Sequence, residues 1–284
     1  LTDTKNVAVE RDFYRLTDLN KGDTEFVRAL AFSHATRPTL RDLNERWISM
    51  FETFVALQRA ARTHPNADAA ALATLDRAMI EYQENAYMRM EDAAIEPLTA
   101  LQAGDVEFFN DDERAASFSY FLAHQYLRTK AVRDRIQKTW LQADETDRFD
   151  RTWPIFRYVF ATNLGYSIFA HRHAMRLQIL HAPAPMEFIT ADQPAINTYG
   201  AFVQPDPLSE NFELYYPLSP TRALIISGHA VYKHSHGTTI DPFRLNYLNQ
   251  AMEFAAHEQL FSKSQAPLQS IARAFCKPPL PTSI

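Results

Sequence analysis

The chain has 284 residues, with 46% apolar and 22% charged side chains, a composition that builds a packed core and excludes a disordered polymer. Glycine is scarce at 6 residues, which disfavours an all-β architecture with its many tight turns. The net charge of −5 offers no basic excess for a nucleic-acid backbone; a nucleic-acid partner is unsupported, although a local basic cleft stays open.

Residues 1–22 read as an extended entry, ending in the turn-like Asn20-Lys21-Gly22-Asp23. A short helix is expected from about Thr24 to Ala35, stopped by Pro38. Thr39 and Asp42 have the spacing of a capping box. Leu40, Leu43, Trp47, Phe51, Phe54, Val55 and Leu57 then form one apolar stripe. His64-Pro65 ends that helix. The next runs from Asp68 past Met79 and Met90, with Pro97 expected to kink or end it. Asn110 and Glu113 suggest another capped start, for a helix carrying Phe118, Phe121, Leu127, Val132, Ile136 and Trp140. A further helix begins near Asp144, and Ile155 to Leu180 is apolar enough to be central; Gly165 within it predicts a close helix contact.

Pro183-Ala184-Pro185 changes the pattern. Short strands are expected at 187–190, 195–199, 213–216 and 222–227. Asp241-Pro242 pairs a cap with a first-turn proline, so a helix follows, with Leu245, Leu248, Met252, Phe254 and Leu260 on its apolar face. A last short helix is expected over 267–275. The fold class is mainly α with a small β insert (α+β): a helical bundle, short antiparallel strands and C-terminal helices. It reads as a single domain over 1–284, helical to 182, β-rich over 183–240 and helical again over 241–284.

No apolar run reaches membrane-spanning length and the N-terminus is polar, so a soluble, cytoplasmic chain without a membrane partner is expected. Cys276 is the single cysteine, which rules out an intrachain disulfide and fits a reducing compartment. The chain starts at Leu1, so an upstream segment is expected.

Several phrases resemble the bacterial family known as domain of unknown function 4238. They are Lys5 to Tyr14 (KNVAVERDFY), Ile95-Glu96, Gln125 to Thr129 (QYLRT), Phe188 to Pro194 (FITADQP) and Tyr216 to Pro220 (YPLSP). The resemblance implies no particular reaction. Members typically open with a His-x-x-Pro segment, and residues 1–5 contain none.

Candidate chemistry centres on His124, Gln125 and Arg128, spaced to share a helix face. A buried arginine needs a carboxylate or an anionic ligand, and Glu10, Glu96 and Asp192 are the carboxylates within the family-like phrases. Glu96, Gln125, Arg128 and Asp192 could form a catalytic site, with a divalent metal between Glu96 and Asp192 as its cofactor. The expected activity is then a hydrolase or nuclease-type reaction on an anionic substrate. The alternative is a non-catalytic ligand-binding or protein-interaction module, in which the same residues lock helix to strand. Asp192 could equally cap backbone N–H groups in a turn.

His171 and His173 diverge on a helix, and His229, His234 and His236 lie in a turn-rich stretch with no adjoining metal ligand set. Glu253 and His257 lack the second histidine of a zinc helix. Tyr14, Tyr120, Tyr126, Tyr215 and Tyr216 could line a pocket or belong to the core. The isolated glycines exclude P-loop and dinucleotide-binding motifs.

Overall fold

The computed structural model describes residues 19–34, 37–64, 69–141, 146–199, 212–232 and 234–269. Glu10, Tyr14, Cys276 and most of the expected last helix lie outside these residues; residues 265–269 are helical. The chain divides into two compact units, Leu1–Leu98 with Asn110–His171, and Thr99–Phe109 with Arg172–Ile284.

Among the described residues, six helices carry the first unit: α1 (Lys21–His34), α2 (Pro38–Thr63), α3 (Ala69–Ala103, whose last turn counts with the second unit), α4 (Asp112–Leu127), α5 (Lys130–Leu141) and α6 (Thr146–Ala170). Asn20-Lys21-Gly22-Asp23 starts α1 rather than ending an extended segment. Asn20 Oδ1 accepts from Asp23 N at 2.9 Å and Asp23 Oδ2 accepts from Asn20 N at 3.0 Å, a reciprocal capping box. Pro38 starts a helix too: it occupies the first turn of α2 with Arg37 at the cap position, so Thr39 and Asp42 fall inside the helix. Proline lacks only an N–H that the first turn leaves unused. Pro97 lies within α3, which continues to Ala103.

Asp111, not Asn110, caps α4, accepting from Arg114 N at 2.9 Å. The expected helix from Phe118 to Trp140 breaks in two. The Arg128 N–H closes α4 on the His124 carbonyl, and the Thr129 carbonyl accepts the first bond of α5, a cap position that threonine favours.

Apolar side chains on nearly every face of α6 put it at the centre of this unit, packed against α4, α2, α1 and α5. Phe149, Trp153, Ile155, Phe156, Tyr158 and Val159 join Val27, Ile48, Phe51, Met79 and Leu127 in one core. Gly165 gives α6 and α4 their close approach: a Cβ there would stand 2.9 Å from Tyr120 Cα and 3.3 Å from the Ser119 carbonyl oxygen. Asp23, 1% exposed, takes the Arg151 guanidinium at 2.9 Å and fastens α1 to α6.

The second unit corrects the expected end of the central helix. α6 stops at Ala170, and Arg176–His181 is a strand, β1. β1 is interior to its sheet and its central residues are buried on both faces. Such a strand shows a continuous apolar run, which periodicity cannot tell from a buried helix. The other strands are β2 (Thr190–Ala191), β3 (Ile196–Asn197), β4 (Glu213–Ser219), β5 (Arg222–Ser227), β6 (Thr238–Thr239) and β7 (Leu260–Phe261). Leu260 therefore belongs to a strand, not to the preceding helix.

Five strands form a sheet in the order β3-β4-β5-β1-β6; β2 and β7 pair separately. The pairings are antiparallel except β1 with β6, which is parallel, so the sheet is mixed. Asp241 caps the helix α7 (Pro242–Ala255), accepting from Arg244 N at 2.9 Å with Pro242 in the first turn, as its sequence requires. Leu245, Leu248, Ala251 and Met252 of α7 close the core over Leu180, Ile196, Tyr215, Ala223 and Ile225. Among the described residues no helix is long and apolar enough to cross a membrane.

Candidate ligand-binding site

The residues singled out from the sequence take separate partners. Glu96 is exposed and receives the fork of Arg114. Arg128 donates to Glu91 at 2.6 Å, with its guanidinium 5.8 Å from the Tyr87 ring centre. Gln125 is buried. His124, 2% exposed, sits among the rings of Tyr120, Tyr158 and Tyr87 at 4.5, 5.5 and 5.6 Å. Burial, then the charges of Arg157 and Arg128, push its pKa down to about 3, so the imidazole is a neutral packing element at ordinary pH. These four belong to the first unit and Asp192 to the second.

Asp192 is consumed by backbone. Its Oδ1 accepts from His257 N at 2.9 Å, and its Oδ2 accepts from Glu258 N at 2.8 Å and Gln259 N at 3.2 Å. The carboxylate organises the turn that leads into β7, beside the β2–β7 pairing. This is backbone capping, but of N–H groups some 65 residues on rather than of its own turn. Among the described residues no three His, Cys, Asp or Glu side chains converge as a metal site. His171 and His173 follow the end of α6 rather than riding on a helix. His236 Nδ1 accepts from Ile179 N at 3.4 Å.

A polar row that sequence reading passed over crosses one end of the main sheet. The antiparallel register sets Glu213 of β4 opposite Ser227 of β5, and Ser227 opposite Arg176 of β1. Cross-strand partners share a face, and alternation adds Gln178 of β1 and Tyr215 of β4 to it. Tyr215, Ile225 and Leu180 on this face pack under α7, so the polar residues stand at the end of a buried surface.

Glu213 is 1% exposed. Its Oε1 accepts from Thr198 Oγ1 at 2.7 Å, Tyr232 OH at 3.2 Å and Arg244 Nη2 at 3.5 Å; its Oε2 accepts from Ser227 Oγ at 2.9 Å. The Arg244 guanidinium stands 4.7 Å from the Tyr232 ring and 5.1 Å from the Tyr247 ring, within cation–π range of both. Burial and then the Glu213 charge raise the hydroxyl pKa values of Tyr199 and Tyr247. A buried carboxylate with a cation and three hydroxyl donors is fully paired, which suits a structural anchor better than a base awaiting a proton.

Next to this anchor is a cavity of about 100 Å³, lined by Arg176, Gln178, Ser227, Gly228, His229 and Tyr232. Ser227 and Tyr232 form its wall towards Glu213 and spend their hydroxyl protons on that carboxylate. The His229 N–H donates to Ser227 Oγ at 3.1 Å, and the exposed His229 ring stacks on Tyr199, with centres 5.7 Å apart and planes 22° apart. Gln178 is 3% exposed, yet its Oε1 is buried without a hydrogen-bond partner.

The signal for Gln178 and Glu213 was present in the sequence as polar residues at inward positions of apolar strands: Leu177-Gln178-Ile179-Leu180 and Glu213-Leu214-Tyr215. Reading residues 176–180 as helix hid the first.

The family model described as Protein of unknown function (DUF4238) matches residues 159–266. The match bears out the family resemblance and takes in every residue lining the cavity, together with Asp192; Glu96, Gln125 and Arg128 lie before it. No curated protein and no solved structure matches the chain.

Proposed function

For a chain whose residues 159–266 carry the DUF4238 family pattern, we propose that the protein is a non-catalytic ligand-binding module whose site is the cavity at the end of the second unit's sheet. The observation that carries this reading is the cavity itself, which Arg176, Gln178 and His229 line beside a Glu213 carboxylate whose acceptors are already committed. The saturated states of Asp192 and Glu213 support the same reading, because their lone pairs are committed to the fold. In this picture Glu213, Arg244 and Tyr232 hold the wall rigid, and Gln178, Arg176 and His229 meet the ligand.

A thermal-shift screen of the full chain against sugars, polyols, amino acids and heterocyclic bases tests it, run beside turnover assays on phosphodiesters and carboxylic esters. The expected result is a ligand that raises the melting midpoint of the wild type but not of Gln178→Met, without turnover, because a ligand that binds only the native state stabilises it. Hydrolysis by the purified chain would sink this reading in favour of a hydrolase acting on an anionic substrate.

A further inference from the structure

At the opposite end of the same sheet, on its other face, three basic side chains gather without an acid. Leu180 and Ala223 pack under α7, so alternation turns their neighbours His181 and Arg222 to the far side. The register sets His181 opposite Arg222 of β5 and opposite Thr239 of β6, and the three form a row across adjacent strands. The His181 carbonyl accepts from Ile240 N at 3.0 Å, on the β6 side. His181 and Arg222 are therefore a non-hydrogen-bonded antiparallel pair, with Cα atoms about 4.5 Å apart and side chains close. Both are half-buried, while Thr239 and His236 are exposed. His236 enters from the turn before β6, where its Nδ1 accepts from Ile179 N at 3.4 Å. With Nδ1 held as an acceptor, the neutral ring carries its proton on Nε2 and offers a donor, not a metal ligand. Burial, then the Arg222 and His236 charges, holds the pKa of His181 below its ordinary value. Among the described residues no carboxylate pairs with Arg222 or with either ring. Asp241, two residues past Thr239, directs Oδ1 to Arg244 N at the start of α7. The row thus supplies a guanidinium, imidazole N–H groups and a hydroxyl, with nothing to balance their charge. That set repels a metal ion and complements a tetrahedral oxyanion. Neighbouring strands stand about 4.8 Å apart, a gap that one phosphoryl group bridges with an oxygen to each side.

We infer that the Arg222–His181–Thr239 row, closed at its edge by His236, is a second binding site, for a phosphate-type oxyanion carried either as free phosphate or as a phosphomonoester. Arg222 brings the permanent charge and a fork of N–H donors, the imidazoles add single N–H donors, and Thr239 adds a hydroxyl. The site lies five residues along β1 from Arg176, about 16 Å, and does not depend on the cavity being occupied.

The test is calorimetric and thermal-shift titration of the full chain with inorganic phosphate at neutral pH, with chloride at matched ionic strength as the control. Phosphoserine, glycerol phosphate and adenosine monophosphate follow as monoesters. One saturable phosphate site is expected, with affinity reduced about tenfold or more in Arg222→Ala and severalfold in His181→Gln. Arg176→Ala, at the cavity, is expected to bind phosphate as the wild type does. Tighter binding of a monoester identifies a phosphorylated ligand; equal affinities identify free phosphate. The inference is overturned if millimolar phosphate gives no saturable binding, if chloride produces the same thermal shift, or if Arg222→Ala binds unchanged. Should that variant not fold, Arg222→Gln decides by the same criterion, since it keeps most of the aliphatic stem and removes the charge. A loss that follows Arg176 and not Arg222 places the anion in the cavity, which overturns this site and leaves the ligand-binding reading of the cavity standing.

Discussion

Ser227 on β5 donates a 2.9 Å hydrogen bond to Glu213 Oε2 on β4, across a pair of residues that the antiparallel register sets directly opposite. The bond joins two things: the buried anion that holds one end of the sheet, and the wall of the cavity beside it. Removing Glu213 leaves Arg244, Thr198, Ser227 and Tyr232 facing an empty acceptor position. Glu213→Ala is expected to cost about 2–4 kcal/mol in chemical denaturation, because three hydroxyl donors lose their acceptor at about 1 kcal/mol each and the partly exposed Arg244 loses its carboxylate. A loss below 1 kcal/mol would remove Glu213 as the anchor of this sheet end.

Arg128 makes the opposite case. Its pair with Glu91 is partly solvated, with side chains 30% and 50% exposed. A pair of this kind contributes about 1 kcal/mol or less, so Arg128→Ala is expected to shift stability by no more than that, apart from a small loss against the Tyr87 ring. A denaturation series placing Arg128→Ala beside Glu213→Ala checks both values under one set of conditions.

Gly165 leaves no room for a methyl group. The nearest atoms to a Cβ are backbone atoms of Tyr120 and Ser119, which cannot rotate away as a side chain would. Gly165→Ala gains helix propensity but forces α4 and α6 apart, and a net loss of about 1–3 kcal/mol is expected. Stabilisation of the variant would show that the two helices separate freely.

His124 gives the first unit a sensitivity to acid. Its native pKa near 3 lies below the unfolded value of 6.5. Below pH 6.5 the unfolded chain therefore binds a proton that the native chain refuses. The contribution is harmless above that pH and grows as pH falls towards 3, at about 1.4 kcal/mol per pH unit. His124→Leu, which has nothing to protonate, is expected to flatten the fall of the melting midpoint between about pH 6.5 and 3. Parallel wild-type and variant curves across that window would contradict the assignment.

Asp192 is expected to act on the fold and not through a metal. Asp192→Ala strips the acceptor from three backbone N–H groups at 257–259, at a cost of about 3 kcal/mol. Its melting midpoint should drop, and Mg²⁺, Mn²⁺ or Zn²⁺ should leave the wild-type midpoint in place. An ion that raises the wild-type midpoint and not the variant's would reinstate a metal at this carboxylate.

Much of the architecture was legible along the chain because the signals are local. The close approach at Gly165, the Asp241-Pro242 start of α7, the strands at 213 and 222 and the buried Leu40, Phe51 and Val55 of the α2 stripe each depend on residues within a few positions of one another, although Leu43 and Leu57 of that stripe are exposed. The same locality explains the errors. Proline at 38 and 97 and the turn residues at 20–23 serve a helix start or interior as well as a stop, and β1 carries the unbroken apolar run that a buried helix would share. The site was not legible, since its pairings span the chain: Glu213 meets Arg244 31 residues on, and Asp192 meets backbone 65 to 67 residues on. Composition and periodicity determined a mainly helical chain with a small sheet, because burial of apolar faces is written into residue spacing. Which polar residues pair, and which line a cavity, was decided only by register and packing, which bring together groups that share no local pattern.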